Sequence, residues 1–293
     1  MALLSRRQKF ALYRIYLLLS LVRWYSILAI VSAQYLVSVF LLNPGFGILE
    51  ILKDFQLHLA IISTGFIVAS GFIINNFYDL ERDTINRPNK VIISRLISQQ
   101  SCLNIYFLFN SLGMISSFYV SKSLMLFNFL FSIALWLYSH KFRKKAFLGE
   151  LMAALLTLAP FLTVLIFYRS WSYQIMLYLT FFSLMILIRE ILKDVIAMKG
   201  DLIYGYDTMP IRIGIPSTKR IIWILVGLTL IPFLALVEFL GADPRLIYFS
   251  IGELLILGMG ISLYRAHSEK DFIRYNDLMK VMIIAGIVGI PLI

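Results

Sequence analysis

The chain has 293 residues, of which 60% are hydrophobic and 15% charged, with a net charge of +11. A soluble domain carries roughly a quarter charged residues, so this composition excludes an ordinary water-soluble fold and points to a chain that spends most of its length in lipid. The positive charge fits membrane orientation better than nucleic-acid binding, because membrane proteins gather Lys and Arg in cytoplasmic loops.

In chain order, apolar stretches long enough to cross a hydrocarbon core predict helices near 17–42, 55–78, 102–120, 123–140, 147–168, 172–192, 220–240, 246–264 and 279–293. The expectation is an all-α integral membrane protein, a single domain over 1–293 with about nine transmembrane helices in one bundle. The Ser5-Arg6-Arg7-Gln8-Lys9 segment echoes a twin-arginine signal. The apolar stretch after it is too long and lacks a small-residue cleavage site, so these charges read as a cytoplasmic anchor. With the N-terminus inside, 23 of the 27 Lys and Arg fall in inner segments; only Lys53, Lys122, Arg169 and Arg245 lie outside. That asymmetry is what a correct topology produces. The long polar loops, near 79–101, 141–146, 193–219 and 265–278, then face the cytoplasm of a bacterial or archaeal cell. Cys102 is the only cysteine, so no intrachain disulfide is possible.

Two of these inner segments are acidic, after the second and the sixth helix, which hints at an internal repeat of four helices. The first reads Asn75-Asn76-Phe77-Tyr78-Asp79-Leu80-Glu81-Arg82-Asp83. Asn75, Asp79 and Asp83 recur every four residues and so share one helix face. Two carboxylates and an amide oxygen in a row suit Mg²⁺, which takes one or two carboxylates and completes its shell with water and phosphate oxygens. Downstream, Arg87, Lys90 and Arg95 can meet those phosphates. Carboxylates at a helix C-terminus oppose its dipole, so their repetition calls for a compensating cation. The second cluster runs Arg189-Glu190-Ile191-Leu192-Lys193-Asp194 and on to Asp201. Helix parity places it on the same membrane face as the first. A third segment, Tyr138-Ser139-His140-Lys141-Phe142-Arg143-Lys144-Lys145, is basic. The bland alternative for each charge taken singly is a solvated or snorkelling group at the membrane surface.

With both acidic motifs in hand, the chain resembles the UbiA-type intramembrane prenyltransferases. Their first motif runs N-D-x-x-D-x-x-x-D and their second K-D-x-x-D-x-x-x-D, followed by a Gly and then T-x-P. Here the second reads Lys193-Asp194 through Asp201, then Gly205 and Thr208-Met209-Pro210; Tyr138-Ser139, the basic run and Gly149 also match. The Arg-Glu-x-x-Lys-Asp run and the Asn-Arg-Pro-Asn-Lys-Val segment resemble the geranylgeranylglycerol-phosphate geranylgeranyltransferase branch. The resemblance implies transfer of a prenyl group from a prenyl diphosphate to a lipophilic acceptor, either geranylgeranylglyceryl phosphate or an aromatic or quinone precursor. It implies Mg²⁺ held by Asn75, Asp79, Asp83, Asp194 and Asp201, with Asp79, Asp83 and Asp201 catalytic. Asn75, Arg87, Lys141, Arg143, Lys193 and Tyr138 would bind the substrate, and Phe77, Tyr78, Tyr138 and Tyr204 are candidates to stabilise an allylic cation. The partners implied are a prenyl diphosphate, a lipophilic acceptor and membrane lipid, with no nucleic acid.

Three positions depart from the family pattern. Asn76 replaces an acidic residue, Ala197 stands at the second motif's middle Asp, and Glu150 follows Gly149 where many members have Asn. Ala197 removes a metal ligand and leaves room for a weakly active or non-catalytic homologue. A transporter is the third class, with His58 as its main candidate intramembrane group.

Overall fold

A computed structural model describes residues 16–86, 88, 97–241 and 243–292. Arg87, Lys90 and Arg95 lie outside the described residues. The helices in order are α1 (Trp24–Leu36), α2 (Phe55–Asn86), α3 (Gln99–Val120), α4 (Lys122–His140), α5 (Leu148–Tyr168), α6 (Tyr173–Ile203), α7 (Met209–Leu240), α8 (Arg245–Leu263) and α9 (Glu269–Val288). No strand occurs among the described residues; one isolated bridge pairs Lys145 with Asp207.

Among the described residues, eight spans are long and apolar enough to cross a membrane: α2 to α8, and α1 together with its continuation Val37–Leu42. Their outward side chains are of the type lipid accepts, among them Phe107, Phe118, Leu126, Leu155, Ile231 and Leu254. Every backbone polar group in a hydrocarbon core must be bonded internally, and helices achieve this within one segment.

The first span is not the single helix expected over 17–42. Residues 16–22 are helical, Arg23 breaks the run with φ 53° and sits 5.2 Å from the Phe72 ring, and α1 then widens into a π-helix over Val37–Leu42. Ser38 Oγ donates to the Gln34 carbonyl at 2.8 Å, competing with the backbone at the point of widening.

Two compact units divide the chain. Residues 1–32 and 55–140 make the first, and 33–54 and 141–293 the second. In the first, α2 packs chiefly on α3 and then on α4. Membrane helices gain little from expelling lipid and associate through close approach and polar contacts. Here Gly113 brings α3 so near that an added Cβ would stand 2.7 Å from Ile67 and 3.0 Å from the Ser63 carbonyl. Asn128 Nδ2 of α4 donates to Ser63 Oγ of α2 at 3.0 Å.

The second unit is built around α6, which packs on α5, α7 and α9. Tyr178, Phe181, Met185, Ile188, Leu192 and Val195 recur at three- and four-residue spacing and are all buried. Gln34 Nε2 donates to the Pro160 carbonyl at 2.8 Å, tying the first span's second half to α5.

Both apolar spans continue as helix into the inner segments near 79–101 and 193–219, in the first case as the four-residue spacing of Asn75, Asp79 and Asp83 implies. α2 continues through the first acidic motif to Asn86, and α6 through the second to Ile203. Charge alone does not end a helix; Glu, Lys, Ala and Met are strong helix formers, and the charges pair along the helix, Lys193 with Glu190 and Arg82 with Asp79. α7 likewise starts at Met209 rather than near 220, with a break at Gly214 (φ 78°) just before Ile215-Pro216. The last helix is α9, Glu269–Val288, rather than 279–293. It opens on Ser268 and Asp271, whose side chains each accept from the other's backbone N–H.

Candidate functional site

The first motif occupies the last turns of α2. Asp79 is 1% and Asp83 3% exposed, in a helix end rich in charge. Between them lies Arg82, 4% exposed, its guanidinium 3.6 Å from Asp79 Oδ2 and 3.6 Å from Asp83 Oδ1. This is the cation that carboxylates at a helix C-terminus require. The sequence supplied Arg82 only as one more inner positive charge; its place three residues after Asp79 and next to Asp83 was the available signal. Asn75 is half-buried, while Asn76 is buried. Seven residues turn a helix through nearly two full revolutions, about 700°, so Asn76 stands almost in line with Asp83. Asn76 is therefore a member of the polar face and not merely a lost acid.

Aromatic contacts connect this helix end to α4. Tyr78 meets His140 edge-on at 5.2 Å, and His140 stacks on Trp136 at 5.3 Å. Tyr138, two residues before His140 and so on another side of the helix, is half-buried. Phe77 packs against the core formed by Leu21, Val22, Ala69, Ile73 and Cys102.

The second motif forms the end of α6. Asp201 is fully buried and Glu190 7% exposed, while Lys193 and Asp194 are half-buried. Lys193 Nζ pairs with Glu190 Oε2, and Arg189 lies 3.8 Å from the other oxygen. Arg143 is half-buried within electrostatic reach of Glu190, and Lys141 is exposed. Asp194 lies in the field of Glu150, Asp201 and Glu190 together. Residues 194, 197 and 201 share a helix face, so Ala197 leaves a methyl group where that face would carry a third acid.

α6 ends in a Schellman turn. The Tyr206 N–H donates to the Asp201 carbonyl at 2.8 Å and the Gly205 N–H to that of Leu202 at 3.3 Å, with Gly205 at φ 68°. A side chain there would strain the turn, which explains the glycine after the motif. Tyr206 then lies buried 5.3 Å from Lys144 Nζ. The Asp207 N–H donates to the Lys144 carbonyl at 3.0 Å, and the Asp207 carboxylate pairs with Arg212.

The basic turn between α4 and α5 is thereby bound to the stretch between α6 and α7. The turn itself is tight. The Leu148 N–H donates to the Ala146 carbonyl at 2.8 Å, closing a γ-turn at Phe147 (φ 67°, ψ −46°), the strained hand of that turn. At Gly149 a Cβ would stand 3.1 Å from the Phe142 carbonyl oxygen and 3.2 Å from that of Arg143. The next residue, Glu150, is 2% exposed, and its Oε1 accepts the Met209 N–H at 3.0 Å, at the start of α7. Glu150 was visible in sequence only as a departure from a pattern; its connection across 59 positions of chain was not.

Among the described residues, no three His, Cys, Asp or Glu side chains converge into a ready-made metal cage. The donors still fit Mg²⁺, which needs only one or two carboxylates when phosphate and water supply the rest. Buried oxygens also remain for a cation to satisfy, Glu150 Oε2 among them, which has no hydrogen-bond partner.

Long apolar helices that end in buried carboxylates, with arginine or lysine set against them in each unit, define the class: an integral membrane protein with acidic helix ends. The chain belongs to the UbiA prenyltransferase family, whose profile matches residues 35–284. It is similar to the digeranylgeranylglyceryl phosphate synthase of Methanobrevibacter smithii, with 30% identity over 80% of this chain and 86% of that one. The synthase of the same name from Methanosarcina mazei is 30% identical over 75% of this chain and 78% of that one. That from Sulfurisphaera tokodaii is 32% identical over 61% of this chain and 66% of that one. Among solved structures, a digeranylgeranylglyceryl phosphate synthase superposes with a TM-score of 0.72 at 24% identity, over 95% of this chain and 99% of that one. A UbiA homologue from Archaeoglobus fulgidus, solved with GPP and Mg²⁺, gives 0.65 at 16% identity, over 94% of this chain and 100% of that one. At such identities the likeness establishes the fold.

Proposed function

We propose that this chain transfers a geranylgeranyl group from geranylgeranyl diphosphate to geranylgeranylglyceryl phosphate, in the membrane and with Mg²⁺. The observation that carries this reading is the pair of buried acidic helix ends, in a chain whose reported relatives bear the name of that synthase. In the reaction the bond from the allylic C1 carbon to the bridging diphosphate oxygen breaks, and its electron pair leaves with the diphosphate. The acceptor hydroxyl oxygen forms the new bond to C1 and its proton passes to the departing diphosphate. Bound Mg²⁺ supplies Lewis-acid stabilisation of the charge that develops on the leaving group.

Asn75, Asp79, Asp83, Asp194 and Asp201 are the residues assigned to hold the metal. Arg82 keeps Asp79 and Asp83 in place. Arg87, Lys141, Arg143 and Lys193 neutralise the diphosphate, each cation being worth most where water is excluded. Tyr138 lines the substrate. The prenyl tail lies among helices, away from water that would quench an allylic cation. The chain acts as one domain, with both motifs at the cytoplasmic face; the distribution of Lys and Arg supports that orientation.

The test is incubation of detergent-purified protein with geranylgeranyl diphosphate, with geranylgeranylglyceryl phosphate or 4-hydroxybenzoate, and with Mg²⁺ or EDTA. A Mg²⁺-dependent diether product supports the proposal. A prenylated aromatic product alone would move the acceptor to the quinone-precursor class. Binding of the diphosphate without product from either acceptor would favour the second reading, a weakened homologue, for which Ala197 is the specific observation.

A further inference from the structure

We infer that Glu150 is a metal-facing carboxylate of the second motif and supplies there the acidic charge that Ala197 lacks. The inference rests on the Mg²⁺-dependent reading above and deepens it. Glu150 is 98% removed from solvent in its fold position, being 2% exposed in the first turn of α5. One of its oxygens is committed: Oε1 accepts the Met209 N–H, which fixes the side chain between α5 and the start of α7. The other, Oε2, is buried and accepts no hydrogen bond. Such an oxygen is costly unless a cation or donor meets it.

Its surroundings say which of these it faces. Glu150 lies within electrostatic reach of Asp194, as do Asp201 and Glu190. Lys193 and Arg189 are turned to Glu190. Arg212, in the first turn of α7, lies within electrostatic reach of Glu150 but pairs with Asp207, so Glu150 Oε2 keeps no donor of its own and shares its surroundings with Asp194. These side chains do not close into a three-carboxylate cage, so the ion would take one or two of them, with phosphate oxygens and water completing the shell. On α6 the face that carries Asp194 and Asp201 passes through Ala197. A carboxylate brought from α5 therefore replaces one missing from α6.

Mn²⁺ binding measured by electron paramagnetic resonance, on detergent-solubilised full-length protein with the hydrolysis-resistant geranylgeranyl S-thiolodiphosphate, separates the outcomes. Glu150→Gln keeps an oxygen to accept the Met209 N–H and removes the charge. It is expected to weaken Mn²⁺ binding by ~10-fold or more, since even outer partners of a metal site cost that much, with the metal-free melting temperature unchanged. Adding Ala197→Asp in that background is expected to restore the affinity. Wild-type Mn²⁺ affinity in Glu150→Gln would overturn the inference. So would a loss matched by an equal fall in metal-free stability, which would make Glu150 a structural latch only. Absence of Mn²⁺ binding in the wild type would overturn the metal-dependent reading itself, and this inference with it.

Discussion

Asp79 and Asp83 sit almost fully buried on either side of Arg82, and the two kinds of residue should respond differently to change. Asp79→Asn or Asp83→Asn keeps the volume and removes charge at the proposed metal. Transfer should fall on the order of 100-fold or more, while the protein melts as before; normal turnover in both variants would remove these residues from the site. Arg82→Leu acts on the fold as well, because it leaves two buried carboxylates without their shared cation. The expected loss is roughly 3–5 kcal/mol, measured by thermal or denaturant unfolding in detergent. Gly149→Ala presses a methyl group onto the Phe142 and Arg143 carbonyls. Overpacking of this kind costs about 1–3 kcal/mol, and displacing Arg143 should raise KM for the diphosphate more than it lowers kcat.

At the scale of elements, each acidic motif lies at a helix end. The motifs ride on α2 and α6 because those helices run past the apolar stretch, and a helix fixes side-chain spacing as a loop does not. Gly205 stops α6 in a Schellman turn and returns the chain to the basic turn at Lys144. α9 has a separate device in its capping box. Asp271 accepts the Ser268 and His267 N–H groups, which hold its carboxyl down to about 2 from the ordinary 3.8. A depressed carboxyl stabilises the fold above its unfolded pKa and loses that contribution as pH falls through the folded one. The start of α9 should therefore be unaffected by acid down to about pH 4 and loosen between there and about pH 2. Amide hydrogen exchange of residues 268–275 followed against pH checks this, and in Asp271→Asn the dependence should disappear.

For the whole molecule the distribution of Lys and Arg sets the expected orientation. Cys102 is the lone cysteine, so a Cys102→Ser background allows single-cysteine labelling. Trp171→Cys lies in the link between α5 and α6, at an exposed position, and Lys145→Cys in the exposed basic turn. A membrane-impermeant maleimide should label the first in intact cells and the second only after permeabilisation. The reverse pattern would place the motifs outside and sink the cytoplasmic assignment.

Membrane residence, helix-by-helix order and the two acidic motifs were legible in the sequence because each depends on local information. A 20-residue apolar run must span or be buried, and residues four apart on a helix must share a face. The spans near 55–78 and 172–192 were bounded by their apolar runs, so the helical turns beyond them, to Asn86 and Ile203, fell into the inner segments 79–101 and 193–219, although the four-residue spacing of Asn75, Asp79 and Asp83 already placed the first motif on a helix face. Tertiary structure decided what depends on groups far apart in the chain. The Glu150 contact with the Met209 N–H, the docking of Asp207 on Lys144 and the insertion of Gly113 against Ile67 are of this kind. Arg82 marks the border: its spacing from Asp79 and Asp83 was written in the chain, but its burial between them depends on the helices around it.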